Sequence, residues 1–344
     1  MIDPASLTFG VDTFGDVSVD TTGAPKHQAE VIRDVIEEGR LADEVGIDAF
    51  GLGEHHRHEF AVSSPEVVLA GIASVTERIR LGSAVTVLSS DDPVRVWQRF
   101  ATLDAISGGR AEVILGRGSF TESFPLFGYS LADYEALFEE KLDLFHALLA
   151  ERPVTWSGSL RPPLSGQEVY PKTESGRITT WVGVGGSPES VVRAARYHLP
   201  LTLAIIGGAP ARFRPFVELF HRALDELELT RLPVAVHSPG FVARTDEEAY
   251  ERYVPHFIRQ RAVIGAERGW PPPQPDEVRR EIAEGALHLG SPETVARKIA
   301  ATIRELGIDR FDLKYSGTMP HEHAMESIEL YGNEVIPMVR DLLA

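Results

Sequence analysis

No cysteine occurs among the 344 residues of the chain. Without thiols the protein cannot form a disulfide scaffold, a thiolate zinc site, an iron–sulfur cluster or a cysteine nucleophile. Any catalytic chemistry must therefore come from other side chains or from a bound cofactor.

Basic residues are also scarce, because 34 Lys and Arg stand against 51 Asp and Glu, which gives a formal net charge of −17. This balance disfavours nonspecific nucleic-acid binding, since that binding depends on Lys and Arg that neutralise phosphates. No run of about 18 apolar residues appears, so no segment is expected to cross a membrane. Residues 1–14 carry Asp3 and Asp12 and lack the basic start of a signal peptide. We therefore expect a soluble, cytoplasmic protein that binds neither nucleic acid nor membranes.

The sequence does contain a regular alternation of short apolar runs and longer amphipathic stretches. Strand-like runs occupy residues 7–11, 49–52, 79–88, 111–115, 180–184, 201–206, 233–242 and 311–314. Helical patterns occupy residues 28–45, 93–106, 131–149, 188–197, 211–227, 247–264 and 321–343, and one more begins at Ser64. Buried strands that alternate with helices indicate a parallel sheet. Eight such units favour a closed α/β barrel, the (β/α)8 or TIM barrel.

Two stretches interrupt this alternation, and we predict one barrel domain over residues 1–344 with insertions near 152–178 and 265–287. The first insertion is rich in Pro, Gly and Ser and predicts a small β excursion. The second contains three consecutive prolines and predicts a long loop with one short helix. Loops of this length are uncommon unless they are functional or mobile.

The active site of such a barrel forms at the carboxyl ends of its strands. After the second strand come His55, His56 and His58, which could be metal ligands, a base, or ordinary residues of a polar loop. A zinc site would need further ligands at other strand ends. We place His237 after the seventh strand and His321 and His323 after the eighth, and further ligands are mostly missing. We expect no metal.

Three other strand ends carry candidate ligand contacts. Small residues around Ala84 in the third strand leave room for a flat aromatic ligand, although an ordinary barrel strand also fits them. Arg117, between two glycines after the fourth strand, is suited to an anion or a ring carbonyl, or to a carboxylate of a neighbouring helix.

After the fifth strand, Gly185, Gly186, Ser187 and Ser190 lead into a helix. Glycine amides and hydroxyls at a helix start form a phosphate cradle, and the alternative is a simple Ser187 cap before Pro188. The glycine pair favours one phosphate. A dinucleotide fingerprint is absent, so NAD(P)H is expected to act through a partner enzyme.

Taken in order, several segments resemble the bacterial luciferase-like flavin monooxygenase family, over nearly the whole chain. The matching segments are Glu54-His55-His56, residues 81–88 with 93–95, residues 103–110, residues 116–118 with 127–128, and the closing stretch 308–337. Separated matches in register are more specific than any one of them.

The resemblance implies a luciferase-like (β/α)8 barrel, commonly dimeric, that binds reduced FMN at its C-terminal face. His55 matches the histidine associated with catalysis, His56 its neighbour in the pocket, and Arg117 the arginine that contacts the flavin. Ala84–Val85 falls where the family has a non-proline cis peptide under the flavin ring. The segment with Gly185, Gly186, Ser187 and Ser190 matches the phosphate site, and residues 265–286 match a mobile active-site loop.

Departures from the luciferase pattern favour a general oxidoreductase over a light-emitting one. Gly116 stands where the luciferase α-subunit has a reactive cysteine, and Gly186 stands where it has a glutamate. We therefore expect a flavin-dependent monooxygenase that uses reduced FMN and O2 on a small organic substrate, with reduced flavin from a separate NAD(P)H:flavin reductase. We expect His55 to act as an acid or base, because an imidazole titrates near neutral pH.

Two other functions stay open, namely a deazaflavin-dependent hydride-transfer enzyme and a flavin-binding protein without turnover. The substrate is not predicted. Candidates for an apolar pocket, each of which also fits the core, are Phe14, Phe120, Phe124, Phe127 and Trp270. By resemblance, helix faces at 65–75 and 93–106 would form a homodimer interface.

Overall fold

The structure is a computed structural model that describes residues 3–20, 22–118, 120–267, 269, 271–315 and 318–344. The strands are β1 (Thr8–Thr13), β2 (Ala49–Leu52), β3 (Arg80–Val87), β4 (Ala111–Gly116), β5 (Val154–Trp156), β6 (Leu164–Gln167), β7 (Thr179–Val184), β8 (Leu201–Ala204), β9 (Val234–Val242), β10 (His288–Gly290) and β11 (Arg310–Lys314). The helices are α1 (Gln28–Glu44), α2 (Pro65–Ala73), α3 (Pro93–Ser107), α4 (Ser123–Phe127), α5 (Tyr134–Leu148), α6 (Pro188–Arg196), α7 (Arg214–Glu226), α8 (Asp246–Glu267), α9 (Pro275–Ala283), α10 (Pro292–Leu306), α11 (His321–Leu330) and α12 (Ile336–Leu343).

Eight parallel strands of the described chain close into a barrel in the order β1, β2, β3, β4, β7, β8, β9, β11 and back to β1. Helices follow these strands around the outside, so the predicted (β/α)8 barrel is confirmed. The short strand β10 extends the sheet by pairing with the last residues of β9. Strands β5 and β6 form a separate antiparallel pair in the first predicted insertion.

Four details differ from the sequence predictions. The short strand β10 and the helix α10 were not predicted, and α4 is an extra short helix after β4. His237 lies inside β9, opposite Asp312 of β11 in the parallel register, and does not follow the strand as we expected. Its side chain therefore belongs to the barrel interior.

The alternation of side chains along the strands separates an apolar outer layer from a lumen that also holds charged side chains. Phe311 and Leu313 of β11 pack in the main hydrophobic core against the helices. Their neighbour Arg310 points into the lumen, where it donates to Asp312 at 2.8 Å and to Glu112 of β4 at 2.6 Å. These three buried charges form an ion network in the lower lumen.

Glycines give this network its space. A Cβ at Gly10 of β1 would lie 2.1 Å from the Asp312 carboxylate, and a Cβ at Gly82 of β3 would lie 2.7 Å from Glu112. Both side chains therefore lie across backbone that only glycine leaves open. Burial raises the pKa of Asp312 to about 6, and Arg310 opposes this rise.

Helix starts at the active-site end of the barrel use Ser or Asp followed by Pro. Asp92 caps α3 by accepting from the amide of Val94 at 2.9 Å, and Ser187 caps α6 by accepting from the amide of Ser190 at 3.3 Å. Proline costs little at the first helical position, because that N–H has no partner inside the helix. Among the described helices, none combines the length and apolar character required to span a bilayer.

Candidate active site

The carboxyl ends of β2, β3, β4 and β7 present very small side chains to the mouth of the barrel. A Cβ on Gly116 would lie 2.6 Å from a Val85 methyl, and one on Gly183 would lie 3.0 Å from the same side chain. A Cβ on Gly53 would lie 3.0 Å from the carbonyl oxygen of Ala84. We call this area of small residues the floor; it is formed by Gly53, Ala84, Val85, Gly116 and Gly183.

The peptide bond between Ala84 and Val85 at the centre of the floor is cis. The resemblance implied this geometry at this position. The strand register of β3 against β4 shifts by one residue between Ala84 and Thr86, so Val85 has no partner in the register. The bulge marks a place where a barrel strand departs from regular pairing, which is common next to active sites.

Glu54 ties the floor to the loop after β2. Its backbone amide donates to the Val85 carbonyl at 3.1 Å, and its carboxylate accepts from the amide of Val87 at 2.8 Å. The other carboxylate oxygen accepts from Nε2 of His56 at 2.8 Å. Glu54 and His56 therefore hold the floor and the loop in one fixed arrangement, and His56 acts through Glu54.

His55 lies between aromatic rings above the floor. The centroid of its ring is 4.4 Å from that of Phe14, 4.3 Å from that of Phe60 and 5.4 Å from that of Phe120. Its Nδ1 is buried and has no hydrogen-bond partner among the described residues. A buried nitrogen without a partner costs free energy that a bound ligand can recover.

Burial lowers the pKa of His55 to about 4, the Asp16 carboxylate opposes this shift, and the Lys314 ammonium adds to it. The imidazole is therefore neutral near pH 7, and our expectation that it titrates near neutral pH was wrong for the protein without ligand. A neutral imidazole has one N–H and one unprotonated nitrogen, so it can either donate or accept a proton.

Arg117 follows β4 and forms an ion pair with Glu135 of α5. Its guanidinium also lies 5.3 Å from the centroid of the Tyr134 ring. The helix carboxylate, which was one of the two alternatives open from the sequence, is therefore its partner here. Arg117 also helps to lower the pKa of Glu189 in the first turn of α6, after the residue's own amide and Ser187, so its charge reaches the start of that helix.

The turn from β7 to α6 leaves space next to its backbone. A Cβ on Gly185 would meet no atom within 4 Å, and Gly186 has a φ of +116°, a conformation that favours glycine. The Ser187 hydroxyl donates to Glu189 at 2.8 Å while it caps the helix. Ser190 is buried and receives a bond from Arg193 at 3.3 Å. In this turn Ser187 therefore caps α6, and the space next to Gly185 stays open for a ligand.

Sequence reasoning missed a polar group on the opposite side of the mouth. Nδ1 of His237 donates to the Asp12 carboxylate at 2.7 Å, and the Lys314 ammonium lies 3.1 Å from the Asp16 carboxylate. All four residues lie on β1, β9 and β11 or directly after them. Charges at every second position of an otherwise apolar β11 were the signal that could have revealed an inward-facing polar side.

Arg57 was also missed, and it joins three segments around the mouth. Its guanidinium pairs with Glu59 of its own loop at 3.0 Å, with Glu122 next to α4, and with Glu267 at the end of α8 at 2.6 Å. It also lies 4.7 Å from the centroid of the Phe120 ring. We call this set of ion pairs the Arg57 clasp.

The candidate aromatic residues divide between the site and the core. Phe14 and Phe120 contact His55, and Phe127 lies edge-on to His56 at 5.1 Å. Phe124 is fully buried against Tyr134. Trp270 lies outside the described residues, as does Ser119 in the segment after Arg117. No cluster of three side chains able to hold a metal ion occurs in the described part of the chain.

Comparison with protein families and curated relatives gives consistent matches. The family model described as luciferase-like monooxygenase matches residues 8–310. The 4-hydroxyprotoasukamycin monooxygenase of Streptomyces nodosus subsp. asukaensis is 29% identical over 267 residues, which cover 72% of this chain and 70% of that protein. The limonene 1,2-monooxygenase of Rhodococcus erythropolis is 35% identical over 150 residues, which cover 42% of this chain and 39% of that protein.

Solved structures share the fold over almost the whole chain. Monooxygenase RslO1 from Streptomyces bottropensis has a TM-score of 0.84 at 22% identity and covers 96% of this chain and 99% of its own. The oxygenating constituent of 3,6-diketocamphane monooxygenase from Pseudomonas putida, in complex with FMN, has a TM-score of 0.73 at 18% identity, with 96% and 98% covered. The coenzyme F420 dependent tetrahydromethanopterin reductase from Methanopyrus kandleri has a TM-score of 0.72 at 20% identity, with 96% and 99% covered.

Proposed function

Since the chain belongs to the luciferase-like monooxygenase family, we propose that it is an oxidoreductase that inserts one oxygen atom of O2 into a small organic substrate with reduced FMN. The observation that carries this proposal is the floor of small residues directly beside His55, whose buried Nδ1 has no partner among the described residues. A flat ring fits on such a floor, and a polar atom of that ring can satisfy the imidazole nitrogen.

The residues present fit FMN at both of its ends. Ala84 and Val85 would support the ring, because the neighbouring Gly53, Gly116 and Gly183 carry no side chains. Gly185, Gly186, Ser187 and Ser190 would hold the phosphate at the start of α6, where amides and the helix dipole favour an anion. Arg117 would exchange the exposed carboxylate of Glu135 for the negative charge of the phosphate or of the reduced ring.

Reduced FMN supplies the two electrons that allow one oxygen atom to enter the substrate while the other leaves as water. The chain supplies binding, orientation and proton control. Neutral His55 would accept or return a proton at Nδ1 inside a wall of aromatic rings. His56 would hold the Glu54 carboxylate in position under the floor. The Arg57 clasp would hold neighbouring segments over the mouth and exclude water.

The remaining partners follow from the same proposal. A separate NAD(P)H:flavin reductase would deliver reduced FMN, as a type II monooxygenase such as the diketocamphane enzyme suggests. A homodimer would bury the exposed apolar side chains of α2 and α3, among them Val67 and Ile106. The cytoplasmic location stays a prediction.

An anaerobic titration tests the cofactor, with oxidised FMN, reduced FMN and coenzyme F420 as separate ligands of the full chain. We expect reduced FMN to bind more tightly than the other two. Mixing that complex with O2 and a panel of aldehydes, ketones, terpenes and phenols should then give an oxygenated product that carries label from ¹⁸O2. The variant Arg40→Gln, in an exposed pair on α1, is the matched control.

Other outcomes would contradict the proposal in distinguishable ways. A preference for coenzyme F420, with reduction of a ketone and no use of O2, would assign hydride transfer. Tight FMN binding that yields hydrogen peroxide with every member of the panel would favour a flavin-binding protein without turnover.

A further inference from the structure

The imidazole of His237 and the carboxylate of Asp12 form a buried pair inside the barrel mouth. Nδ1 of His237 lies 2.7 Å from Asp12 Oδ2, and the two side chains are 11% and 3% exposed. A carboxylate oxygen accepts in this contact, so Nδ1 is the donor and Nε2 is the ring nitrogen that stays available to a substrate. The second oxygen of Asp12 is buried and accepts no hydrogen bond from any described residue.

A cation lies beside this pair. Lys314 pairs with Asp16 at 3.1 Å, and Gln260 of α8 donates to the other oxygen of that carboxylate. The Lys314 ammonium is 4.5 Å from the centroid of the Phe14 ring, and the ring of His237 lies 5.9 Å from the same centroid at an interplanar angle of 11°. The His237 imidazole and the Lys314 ammonium therefore both lie next to the Phe14 ring.

Phe14 also separates this group from His55, which contacts Phe14 at 4.4 Å and at a tilt of 35°. His55 lies among apolar rings, whereas His237 and Lys314 lie among charges. Below them, in the next layer of the lumen, Arg310 is neutralised by Asp312 and Glu112. The charged groups that face His237 are therefore Asp12, Asp16, Lys314 and Asp312.

We propose that His237 is the base that removes the proton from an acidic hydroxyl of the substrate, and that Lys314 holds the resulting oxyanion. The substrate class is then a phenol or an enol. The proposal rests on the proposed monooxygenase function, which it deepens by naming the substrate. Asp12 is a positioning residue, because it acts by fixing the tautomer and orientation of His237.

The proton step balances within the site. The substrate O–H bond breaks, its proton moves to Nε2 of His237, and the electron pair stays on the oxygen beside Lys314. A phenolate or enolate has a far more electron-rich carbon than the neutral molecule, which suits transfer of an electrophilic oxygen atom. Reduced FMN and O2 of the proposed function then supply the oxygen atom and the two electrons, and the second oxygen leaves as water.

The ionisation of 4-nitrophenol tests this assignment without flavin and without O2. Its phenolate is yellow and its phenol is not, so absorbance reports the ionised fraction of the probe as the full chain is added near neutral pH. We expect the protein to raise the ratio of phenolate to phenol about tenfold, which is a shift of about one pKa unit. 4-Nitroanisole, which has no proton to lose, should bind without a spectral shift of this kind.

Variants identify the groups responsible. His237→Asn and Lys314→Gln should each remove most of the shift, Asp12→Asn should reduce it, and Lys314→Arg should retain it because the charge is kept. His198→Asn is the matched control, since His198 lies at the opposite end of the barrel before β8 and has a positive φ that Asn tolerates. Thermal melting of each variant verifies that it is folded, and Lys314→Arg provides the folded reference if Lys314→Gln is unstable.

The result decides the assignment independently of the cofactor. An ionised fraction that the protein leaves unchanged, or a shift that persists in His237→Asn, would overturn it. A shift that depends on His237 and Lys314 in a chain that fails to oxygenate any substrate with reduced FMN would support the acid–base pair and contradict the monooxygenase proposal.

Discussion

At the scale of single residues, His55 is the group whose loss separates binding from chemistry. We predict that His55→Ala still binds reduced FMN, because the floor and the turn after β7 are intact, but forms oxygenated product about 100-fold more slowly. The measurement compares flavin affinity with the yield of product per flavin oxidised. His58→Ala, an exposed histidine of the same loop, is the control. Unchanged coupled turnover in His55→Ala would remove this residue from the mechanism.

Gly185 offers a second test at this scale. A Cβ there meets no described atom within 4 Å, so Gly185→Ala should fold with unchanged stability. The added methyl would nevertheless occupy the cradle, and we expect FMN to bind about tenfold more weakly, or by about 1.4 kcal/mol. Gly207→Ala, in the turn after β8 with only the tip of Arg261 nearby, should leave the affinity unchanged. Equal affinities for the two variants would place the phosphate elsewhere.

The sequence revealed the strand-end residues of the site but not the lumen residues. Glu54, His55, His56 and Arg117 follow strands directly, so the barrel rule points to them. Asp12 and His237 lie within strands, where alternation decides whether a side chain faces the lumen or the helices. A single inward Asp in an apolar strand has no neighbouring pattern, and its partner is 225 residues away.

At the scale of secondary-structure elements, the Arg57 clasp connects the loop after β2 to α4 and α8. We predict that Arg57→Gln lowers the free energy of unfolding by about 1 kcal/mol, because the guanidinium is buried and its loss leaves Glu59, Glu122 and Glu267 without their cation. Proteolytic cleavage within residues 265–287 should become several-fold faster, since that segment loses its anchor at the end of α8. Limited proteolysis with Arg40→Gln as control measures this. An unchanged cleavage rate would show that the clasp does not hold the segment.

The elements themselves were largely readable, because parallel strands buried on both faces form continuous apolar runs. The helix α10 was missed although Ser291 and Pro292 give the same start signal as Ser187 and Pro188. The short β10 has only three residues, one of them His288, and its pairing depends on the far end of β9. Such a strand carries too little local pattern to be recognised.

At the scale of the whole molecule, buried His288 makes stability depend on pH. Burial lowers its pKa to about 3, and the Lys298 charge adds to this, so the folded protein keeps it neutral while the unfolded chain protonates it near pH 6.5. Between these two pH values the unfolded state binds more protons than the folded state. The stability that neutral His288 contributes is therefore fully present above pH 6.5 and is lost as the pH falls toward 3.

The variant His288→Gln isolates this effect. It should be less stable than the parent at pH 7.5, because it loses contacts with Phe311 and the bond to the Ala286 carbonyl. At pH 5 the difference should shrink by about 2 kcal/mol, since only the parent loses stability through this titration. Urea unfolding at both pH values measures it, with the exposed His58→Gln as control. A difference that stays constant with pH would contradict the assignment of the neutral form.

The ion network of Arg310, Asp312 and Glu112 limits how ligands can enter and leave the proposed site. These side chains and Trp181 lie in the lumen under the mouth of the described barrel, so a ligand of the proposed site would have to enter and leave through the mouth. Substrate and product would then use the same opening, so a product that dissociates slowly would block binding of the next substrate. We therefore expect the product to inhibit the reaction competitively with respect to the substrate.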